Sequence, residues 1–338
     1  MRIVLCSHGF SPAVGGIETV SLLLAKSWTK IGEDVRVVTR TPGRPKDDQG
    51  LQVIREPTPD EFARHLAWSD VVLQNNISLP WIMPILRSRK PWVCANHTWP
   101  RDSRGRLDWR GRLKRRTALL ARYQLGVSKA QAKQFLGRPI IVGNPYDDSF
   151  FKPVPGIARD RDLLFLGRLT HDKGIDLAIR ALPAILASRP ETELAIIGRG
   201  EERQDLENLA AKLGVARSVG FLGALFGDDL LREMSRHKLV LVPSRACESF
   251  GIVVLEALAC GCVVIASDCG GLPEAVGPAG ATFPVDDVPK LTEQILRLLG
   301  STDLQDAYQR TVPGHLSKFT ADAVAQRYLD VLRRAAKK

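Results

Sequence analysis

The sequence lacks any apolar run that approaches the roughly 20 residues needed to cross a lipid bilayer. It starts directly with the strand-like segment Arg2-Ile-Val-Leu-Cys6, so we expect no signal peptide. The six cysteines show no spacing typical of metal ligands, and we expect reduced, structural thiols. Together these absences favour a cytosolic globular protein over a secreted or membrane-spanning one.

Several enzyme motifs are also absent. No G-x-G-x-x-G follows the first strand and no G-x-x-x-x-G-K-[ST] occurs, which argues against nicotinamide dehydrogenases and P-loop enzymes. No G-x-S-x-G nucleophile elbow occurs either. The sequence has one Asp-x-Asp pair, Asp160-Arg161-Asp162, directly before a predicted strand. We therefore expect it at the amino edge of a sheet, as surface charge, and predict no metal site.

Acidic residues are scarce in the first half of the chain. Residues 1–150 hold 24 Lys and Arg against 13 Asp and Glu, whereas residues 151–338 hold 24 of each. The whole net charge of +11 therefore belongs to the first half. A one-sided positive field predicts an anionic partner, which is a membrane surface, a nucleic acid or an acidic glycan.

Alternating strands and helices in both halves predict an α/β protein with two similar Rossmann-like domains. We predict strands at Arg2–Ser7, Val35–Thr39, Leu51–Arg55, Val71–Gln74, Trp92–Asn96, Leu125–Ser128, Ile140–Val142, Leu163–Leu166, Leu194–Ile197, Val219–Leu222, Leu239–Val242 and Val263–Ala266. We predict helices at Gly15–Lys30, Asp60–Ala67, Trp81–Arg87, Ala130–Phe135, Ile175–Ser188, Glu202–Leu213, Asp229–His237, Ile252–Ala259, Val288–Leu299 and Thr320–Ala335. The two domains should face each other across a cleft, with ligands beyond the carboxyl ends of the strands.

The segment Pro243–Gly261 holds the most informative pattern. A buried strand ends at Pro243-Ser244, and helical spacing begins near Phe250. The backbone amides near Phe250, Gly251 and Ile252 then lie at a helix start, which binds anions and phosphate above all. Glu248 precedes that start and Glu256 follows it. We interpret the segment as a phosphate site with a carboxylate on either side, rather than as a plain loop with solvated charges.

Three other groups of residues follow predicted strands. Arg168 and Lys173 lie between a strand end and the next helix, where they are either surface charges or a diphosphate-binding pair, and we favour the pair. Gly15-Gly16 would let the backbone approach a ligand closely, although a Gly-Gly pair also fits a plain loop. His8 and His97 both follow strands, and we expect at most one of them to contact substrate.

The segment Arg101–Arg116 is strongly basic, with Leu107, Trp109 and Leu113 between its cations. Such a pattern fits an interfacial membrane segment or a solvated charged face, and the sequence does not separate the two. The cations are Arg101, Arg104, Arg106, Arg110, Arg112, Lys114, Arg115 and Arg116.

Taken together, these motifs resemble the retaining glycosyltransferases of family 4, which have the GT-B fold. The matching pieces are Gly15-Gly16-Ile-Glu18, His97, Gly167-Arg168-Leu169 with Lys173-Gly174, Glu248 to Glu256 with Phe250-Gly251, and Gly270-Gly271-Leu-Pro-Glu274. The resemblance covers nearly the whole chain. It implies an acceptor-binding domain over residues 1–150, a donor-binding domain over 151–316, and a last helix in 317–338 that crosses back toward the first domain.

The resemblance also implies roles for individual residues. Arg168 and Lys173 would hold the diphosphate and stabilise the leaving group, and Glu256 would bind the ribose hydroxyls. Glu248 and the backbone of Ser249, Phe250, Gly251 and Ile252 would orient the donor sugar and the β-phosphate. Gly16 would border the reaction centre and His97 would contact the transferred sugar. We expect the nucleotide base near Arg199, Phe221 and Leu222.

We therefore expect a metal-independent enzyme that moves a hexose from a UDP- or GDP-sugar, with UDP slightly favoured, to a lipid-linked or polysaccharide acceptor. It would have no cofactor, and it would lie at the inner face of the cell membrane. One alternative is a soluble transferase with a small anionic acceptor, such as a sugar phosphate. A nucleic-acid-binding module would also explain the charge, but the sequence carries no nucleic-acid-binding motif.

Overall fold

The computed structural model describes residues 1–100 and 107–337. The chain divides into two compact units, which are described separately below. Unit one comprises Met1–Tyr146 and Phe319–Lys338, and unit two comprises Asp147–Lys318. The final helix of the chain therefore belongs to the same unit as the N-terminal sheet.

Unit one is built on a parallel sheet, for which the described residues supply seven strands in the order β3-β2-β1-β4-β5-β6-β7. The strands are β1 (Arg2–Ser7), β2 (Asp34–Thr39), β3 (Gln52–Arg55), β4 (Val71–Asn75), β5 (Trp92–Asn96), β6 (Tyr123–Gly126) and β7 (Ile140–Ile141). The helices are α1 (Gly16–Lys30), α2 (Pro59–Trp68), α3 (Leu79–Arg87), α4 (Trp109–Ala118), α5 (Lys129–Ala132) and, from the end of the chain, α13 (Ala321–Ala336). The central strands are buried on both faces, as is usual where helices cover a parallel sheet.

The helix α13 packs on α1 through a mixed apolar and polar contact. Trp28 is fully buried, and its indole nitrogen donates a hydrogen bond to the carbonyl oxygen of Ala325 at 2.9 Å. The hydroxyl of Ser27 donates to Asp322 at 2.8 Å. These contacts explain why the last helix joins unit one, although about 170 residues of unit two precede it in the chain.

Unit two repeats the architecture, with six described parallel strands in the order β10-β9-β8-β11-β12-β13. The strands are β8 (Arg161–Leu166), β9 (Leu194–Ile197), β10 (Val219–Gly223), β11 (His237–Val242), β12 (Val263–Ser267) and β13 (Gly280–Phe283). The helices are α6 (Ile175–Ser188), α7 (Arg203–Lys212), α8 (Gly227–Arg236), α9 (Ile252–Ala259), α10 (Leu272–Val276), α11 (Val288–Leu299) and α12 (Thr302–Leu316). In register, Leu241 of β11 lies between Phe165 and Ile265, and all three side chains join the core.

The predicted α/β class with two Rossmann-like parallel sheets is confirmed. The predictions near the end of unit one were less accurate, because β6 covers residues 123–126 instead of 125–128 and α5 ends at Ala132 instead of residue 135. Sequence reasoning missed β13, α10 and α12. The first two are five residues or shorter and therefore show little periodicity, and α12 carries Pro313 inside the helix.

In the part of the chain that the structure describes, no helix is long and apolar enough to cross a membrane.

Candidate functional site

The candidate site of unit two lies at the carboxyl edge of its sheet. There the segments after neighbouring strands are tied together by hydrogen bonds. The amide of Gly167, just after β8, donates to the carbonyl of Ile197 at the end of β9, at 3.0 Å. The Ser267 hydroxyl at the end of β12 donates to the carbonyl of Ser244, just after β11, at 2.6 Å. These bonds make the edge a continuous surface of loops, which is where sheets of this kind bind ligands.

Lys173 and Glu248 meet at this edge. The Lys173 ammonium is hydrogen-bonded to a Glu248 carboxylate oxygen, and the Ser244 hydroxyl donates to the same oxygen at 3.2 Å. Both side chains remain partly accessible to solvent, at 21% and 26% exposure. The sequence therefore correctly placed these two residues, which are 75 positions apart, at one edge.

Gly174 explains how Lys173 reaches that position. Its φ of 67° lies in the left-handed region, and a Cβ atom there would collide with the carbonyl oxygen of Pro243. The chain entering α6 thus passes directly against the loop that follows β11. A glycine is needed at this point because any side chain would push Lys173 away from Glu248.

Arg245 fixes the first part of the same loop. Its guanidinium makes two hydrogen bonds to the Asp176 carboxylate, at 2.5 and 2.8 Å, and one to Asp286 at 2.5 Å. Its backbone amide also donates to the carbonyl of Asp172 at 2.9 Å. A bidentate pair of this kind fixes the orientation of the planar guanidinium group. The sequence analysis did not single out this residue, because a lone arginine before Glu248 carries no pattern.

The start of α9 offers free backbone donors. Gly251 adopts a φ of 98°, and a Cβ there would lie 2.6 Å from a methyl group of Leu272. Phe250, directly before Gly251, is buried. The amides of residues 251, 252 and 253 have no acceptor in the described part of the chain. Unpaired amides at a helix start, with the positive end of the helix dipole, form an anion site.

Glu256 lies one turn further along α9 and is only partly accessible. Within the described residues its carboxylate has no hydrogen-bond partner. Burial raises the pKa of Glu256 to about 7, and the nearby Asp147 carboxylate adds to this shift. A half-buried carboxyl group without a cation is suited to accept hydrogen bonds from neutral hydroxyl groups.

The other predicted donor-site residues lie along the same edge. Arg168 follows β8 with a side chain that is 73% exposed, and its guanidinium lies 3.9 Å from Asp172. Arg199 follows β9 and is exposed, while its carbonyl oxygen accepts from the Leu169 amide at 2.9 Å. Ser249 lies between Glu248 and Phe250 in the loop before α9. The structure therefore places these residues in loops at the same edge of the sheet as Lys173 and Glu248.

Phe221 and Leu222 lie in the edge strand β10, as the predicted strand Val219–Leu222 requires. Phe221 packs against the core of unit two, with the Arg203 guanidinium 5.6 Å from its ring centre. Leu222 is 42% exposed.

The Asp-x-Asp pair lies at the amino edge of the same sheet. There Asp160 is paired with Arg236 at 3.3 Å and Asp162 with Lys238 at 2.7 Å. Across the described residues, no group of three or more His, Cys, Asp or Glu side chains is arranged to hold a metal ion.

In unit one, His97 is buried directly after β5. Its Nε2 atom lies 2.6 Å from the side-chain oxygen of Asn75 and 3.4 Å from the hydroxyl of Tyr328 in α13. Burial lowers the pKa of His97 to about 4, an effect that the neighbouring Asn144 side chain partly offsets. The imidazole is therefore neutral near pH 7, and its Nε2–H donates to Asn75.

Gly16 is the first residue of α1, at the carboxyl edge of the sheet of unit one. The carboxylate of Glu18 folds back over Gly9 and Gly15, so that a Cβ on either glycine would collide with it. His8 follows β1, and its ring centre lies 6.1 Å from that of Trp81. Gly16, at the start of α1, and His97, directly after β5, thus lie at the same edge of the sheet of unit one.

Of the basic segment, residues 109–116 belong to the helix α4, while the predicted residues Arg101, Arg104 and Arg106 lie outside the described part of the chain. The side chain of Asp108 caps α4 by accepting from the Gly111 amide at 2.7 Å. One face of the helix is exposed and mixed in character, with Trp109, Arg112, Leu113 and Arg116 on it, and Arg110 beside it at 5.3 Å from the Trp109 ring. Lys114 and Arg115 are less exposed and lie toward the protein.

One expectation about cysteine is wrong. Cys247 and Cys269 form a disulfide, with their Cα atoms 5.0 Å apart, whereas Cys6, Cys94, Cys260 and Cys262 are free and buried. The two cysteines are 22 residues apart in sequence, and this spacing matches no motif that predicts a disulfide. It forms because β11 and β12 are neighbouring parallel strands, so the loops that follow them meet.

Residues 147–312 match the family model described as glycosyl transferases group 1. This match covers almost all of unit two and just under half of the chain. An uncharacterized glycosyltransferase of Methanocaldococcus jannaschii is 45% identical over 127 residues, which are 37% of this chain and 32% of that protein. A GDP-mannose-dependent monoacylated alpha-(1-6)-phosphatidylinositol monomannoside mannosyltransferase of Corynebacterium glutamicum is 40% identical over 139 residues, or 39% of this chain and 36% of that protein. The matched segments thus span about a third of these relatives' own length.

The fold extends the likeness to the whole chain. The crystal structure of Anabaena HepE in complex with UDP superimposes with a TM-score of 0.84, and it covers 99% of this chain and 100% of that one. The two sequences are 20% identical. At that identity the match establishes the two-domain GT-B fold of the chain and nothing finer.

Proposed function

We propose that the protein is a retaining glycosyltransferase that moves a hexose from a nucleoside-diphosphate sugar to a lipid-linked or polysaccharide acceptor. The observation that carries this proposal is the pairing of Lys173 with Glu248 beside the start of α9, where the amides of residues 251–253 have no acceptor among the described residues. A cation and backbone donors are thus held at one edge, where a diphosphate would be both bound and stabilised as it departs. The match of unit two to a glycosyltransferase family supports the same conclusion.

The proposed reaction needs no side chain beyond these groups to handle the leaving group. The Lys173 ammonium would leave Glu248 and bind the diphosphate. The diphosphate would also accept hydrogen bonds from the amides at the start of α9. Arg168, which is mostly exposed and only loosely paired, would close on the same charge. The acceptor hydroxyl would then attack the anomeric carbon from the face that the diphosphate leaves, and a phosphate oxygen would take its proton. We propose that the charge is neutralised by these residues, without a metal or cofactor.

Glu256, the loop after β9 and the edge strand β10 would bind the nucleoside. We propose that the Glu256 carboxylate accepts hydrogen bonds from the ribose hydroxyls. These hydroxyls are neutral, so they can pair with a half-buried carboxyl group. The base would lie near Arg199, Phe221 and Leu222. We favour UDP over GDP as the nucleotide, and a UDP-bound protein of the same fold is compatible with that choice.

A transfer assay tests the proposed function. The protein would be incubated with a panel of UDP- and GDP-hexoses and an extract of bacterial lipids and glycans, and release of the nucleoside diphosphate would be followed. We expect one sugar nucleotide to be consumed, with a product that keeps the anomeric configuration by nuclear magnetic resonance. If no sugar nucleotide were consumed with any acceptor, or if the product were inverted, the proposal would be wrong.

We propose that unit one contacts the inner face of the cell membrane through the exposed face of α4. Trp109 and Leu113 are 67% and 40% exposed, and Leu119 and Leu120, just after the helix, are 51% and 58% exposed. Exposed apolar side chains beside Arg112 and Arg116 are suited to the boundary between headgroups and acyl chains. The alternative, in which the cations bind a small anionic acceptor, does not explain the four exposed apolar residues.

Binding to vesicles distinguishes the membrane from a small acceptor. We expect the wild type to sediment with anionic vesicles, and we expect the variant Arg110→Ser/Arg112→Ser/Arg116→Ser to bind about 100-fold more weakly, since each cation near the surface contributes about 1 kcal/mol. Arg115 is left in place because its Nε atom is buried. The control is Arg203→Ser/Arg217→Ser/Arg297→Ser in unit two, which should bind as the wild type does. Equal binding by both variants would contradict the assignment of α4.

A further inference from the structure

We propose that Cys247 and Cys269 are a redox modification site at which thiol–disulfide exchange with a dithiol sets the affinity for the nucleotide donor. The inference rests on the proposed function, because it concerns the same site. The inference goes beyond the proposed function, because neither the sequence motifs nor the family match assigns any role to these two cysteines.

The disulfide joins the two segments that shape the phosphate site. Cys247 directly precedes Glu248, and Cys269 directly precedes Gly270 and Gly271. The Gly271 amide donates to the carbonyl of Glu248 at 2.8 Å. A Cβ on Gly270 would collide with the Glu248 carbonyl, so the two segments are in direct contact. The bridge therefore holds the backbone that carries the Glu248 carboxylate.

The other contacts of this loop do not replace the bridge. Arg245 is fixed by Asp176 and Asp286, but these bonds act two residues before Cys247. The Glu248 side chain is held by Lys173 and Ser244, and a bound diphosphate would draw Lys173 away from it. With donor present, the disulfide and the Gly271 amide still restrain the Glu248 backbone. Reduction removes one of these restraints while the donor is bound, when order in this loop contributes to affinity.

The two cysteines differ in exposure, which gives the exchange a direction. Cys247 is exposed, whereas Cys269 is 9% exposed. A thiolate of the reductant attacks the Cys247 sulfur and forms a mixed disulfide, and the Cys269 thiolate leaves and is protonated. The second thiol of the reductant then attacks the reductant's sulfur atom in the mixed disulfide. This step closes a disulfide within the reductant and releases Cys247 as a thiol. Two electrons and two protons pass from the dithiol to the protein, and a disulfide oxidant reverses the sequence.

The remaining cysteines do not compete in this exchange. Cys6, Cys94, Cys260 and Cys262 are buried, and burial raises the pKa of each thiol. They therefore stay protonated near neutral pH and are poor nucleophiles. Exchange should thus be selective for the pair at the donor site.

The test compares the full chain after equilibration in oxidising and reducing dithiothreitol buffers. Alkylation followed by mass spectrometry should show two additional thiols in the reduced protein, on Cys247 and Cys269. Calorimetry with UDP and GDP should show that the reduced form binds the preferred nucleotide about tenfold more weakly. Amide hydrogen exchange should be faster in residues 243–251 of the reduced form, a readout that needs no nucleotide.

Variants separate the redox effect from general instability. Cys247→Ser/Cys269→Ser should bind like the reduced wild type in both buffers, and Cys6→Ala should keep the full redox response. Equal nucleotide affinity and equal exchange in the two forms would overturn the inference and leave the proposed function standing. If neither form bound any nucleotide while residues 243–251 still responded to reduction, the donor assignment would be wrong, and the coupling to donor binding with it.

Discussion

Replacement of Lys173 by Met lowers the rate of sugar transfer by about 100- to 1,000-fold, as expected when one charge-stabilising donor is lost from a preorganised site. In the proposed mechanism the ammonium leaves Glu248 to meet the charge that grows on the departing diphosphate. Methionine keeps the length and apolar stem of the side chain but not its charge. The loss should therefore appear mainly in kcat, because this charge is larger in the transition state than in the bound donor.

Lys212→Met is the matched control for this change. Lys212 is the last residue of α7 and its side chain is exposed. The same substitution there should leave transfer within about twofold of the wild type, as for surface sites in general. Steady-state kinetics with the preferred sugar nucleotide provide the measurement. A Lys173→Met enzyme with wild-type kcat would contradict the role assigned to this residue.

Replacement of Glu256 by Gln changes both donor affinity and the pH dependence of stability. The pKa of about 7 in the folded protein is above the value of 4.5 for an ordinary glutamate. A raised folded pKa contributes stability that is fully present below about pH 4.5 and is lost as pH rises through about 7. In the wild type, ionisation of this half-buried carboxyl group therefore costs folding free energy at neutral and alkaline pH.

Glutamine removes that cost, because it does not ionise. Between about pH 5 and pH 8, the free energy of unfolding of Glu256→Gln should improve relative to wild type by about 2 to 3 kcal/mol. At the same time it should bind the nucleotide about tenfold or more weakly, since a charged acceptor of the ribose hydroxyls is lost. Urea unfolding at the two pH values and calorimetry with the nucleotide measure both effects.

Glu293→Gln is the control for this pair of effects. Its carboxylate is 55% exposed and pairs with Lys290 on the surface of α11. We expect neither a change in nucleotide affinity nor a relative gain in stability at high pH. If Glu256→Gln showed the same pH dependence as the wild type, the pKa of Glu256 would be the same in the folded and the unfolded protein, and the raised pKa assigned to this carboxyl group would be wrong.

The loops of the candidate site were largely predictable from the sequence, because glycines and strand ends mark them. Glu248 and Lys173 were each placed after a buried strand, and parallel strands bring such positions to one edge. Gly174 and Gly251 mark two of these loops, and both adopt positive φ values. The sheets themselves followed from apolar runs whose length and spacing are typical of buried strands.

Pairings between distant residues were not predictable, because they depend on which strands become neighbours. The disulfide between Cys247 and Cys269 requires β11 beside β12, and the hydrogen bonds of Arg245 require the start of α6 beside the loop after β11. Likewise, the contact of His97 with Tyr328 joins residues 231 positions apart. None of these pairs has a local spacing that a single sequence displays.

Calorimetric titration of the wild type and Lys173→Met with UDP and GDP tests the donor site most directly. The account predicts that one of the two nucleotides binds the wild type and that Lys173→Met binds it at least about tenfold more weakly, with Lys212→Met unchanged. At about 100 times the dissociation constant, the bound nucleotide should also stabilise the wild type by about 2.7 kcal/mol. Binding of neither nucleotide to the wild type, or equal binding to Lys173→Met, would contradict it.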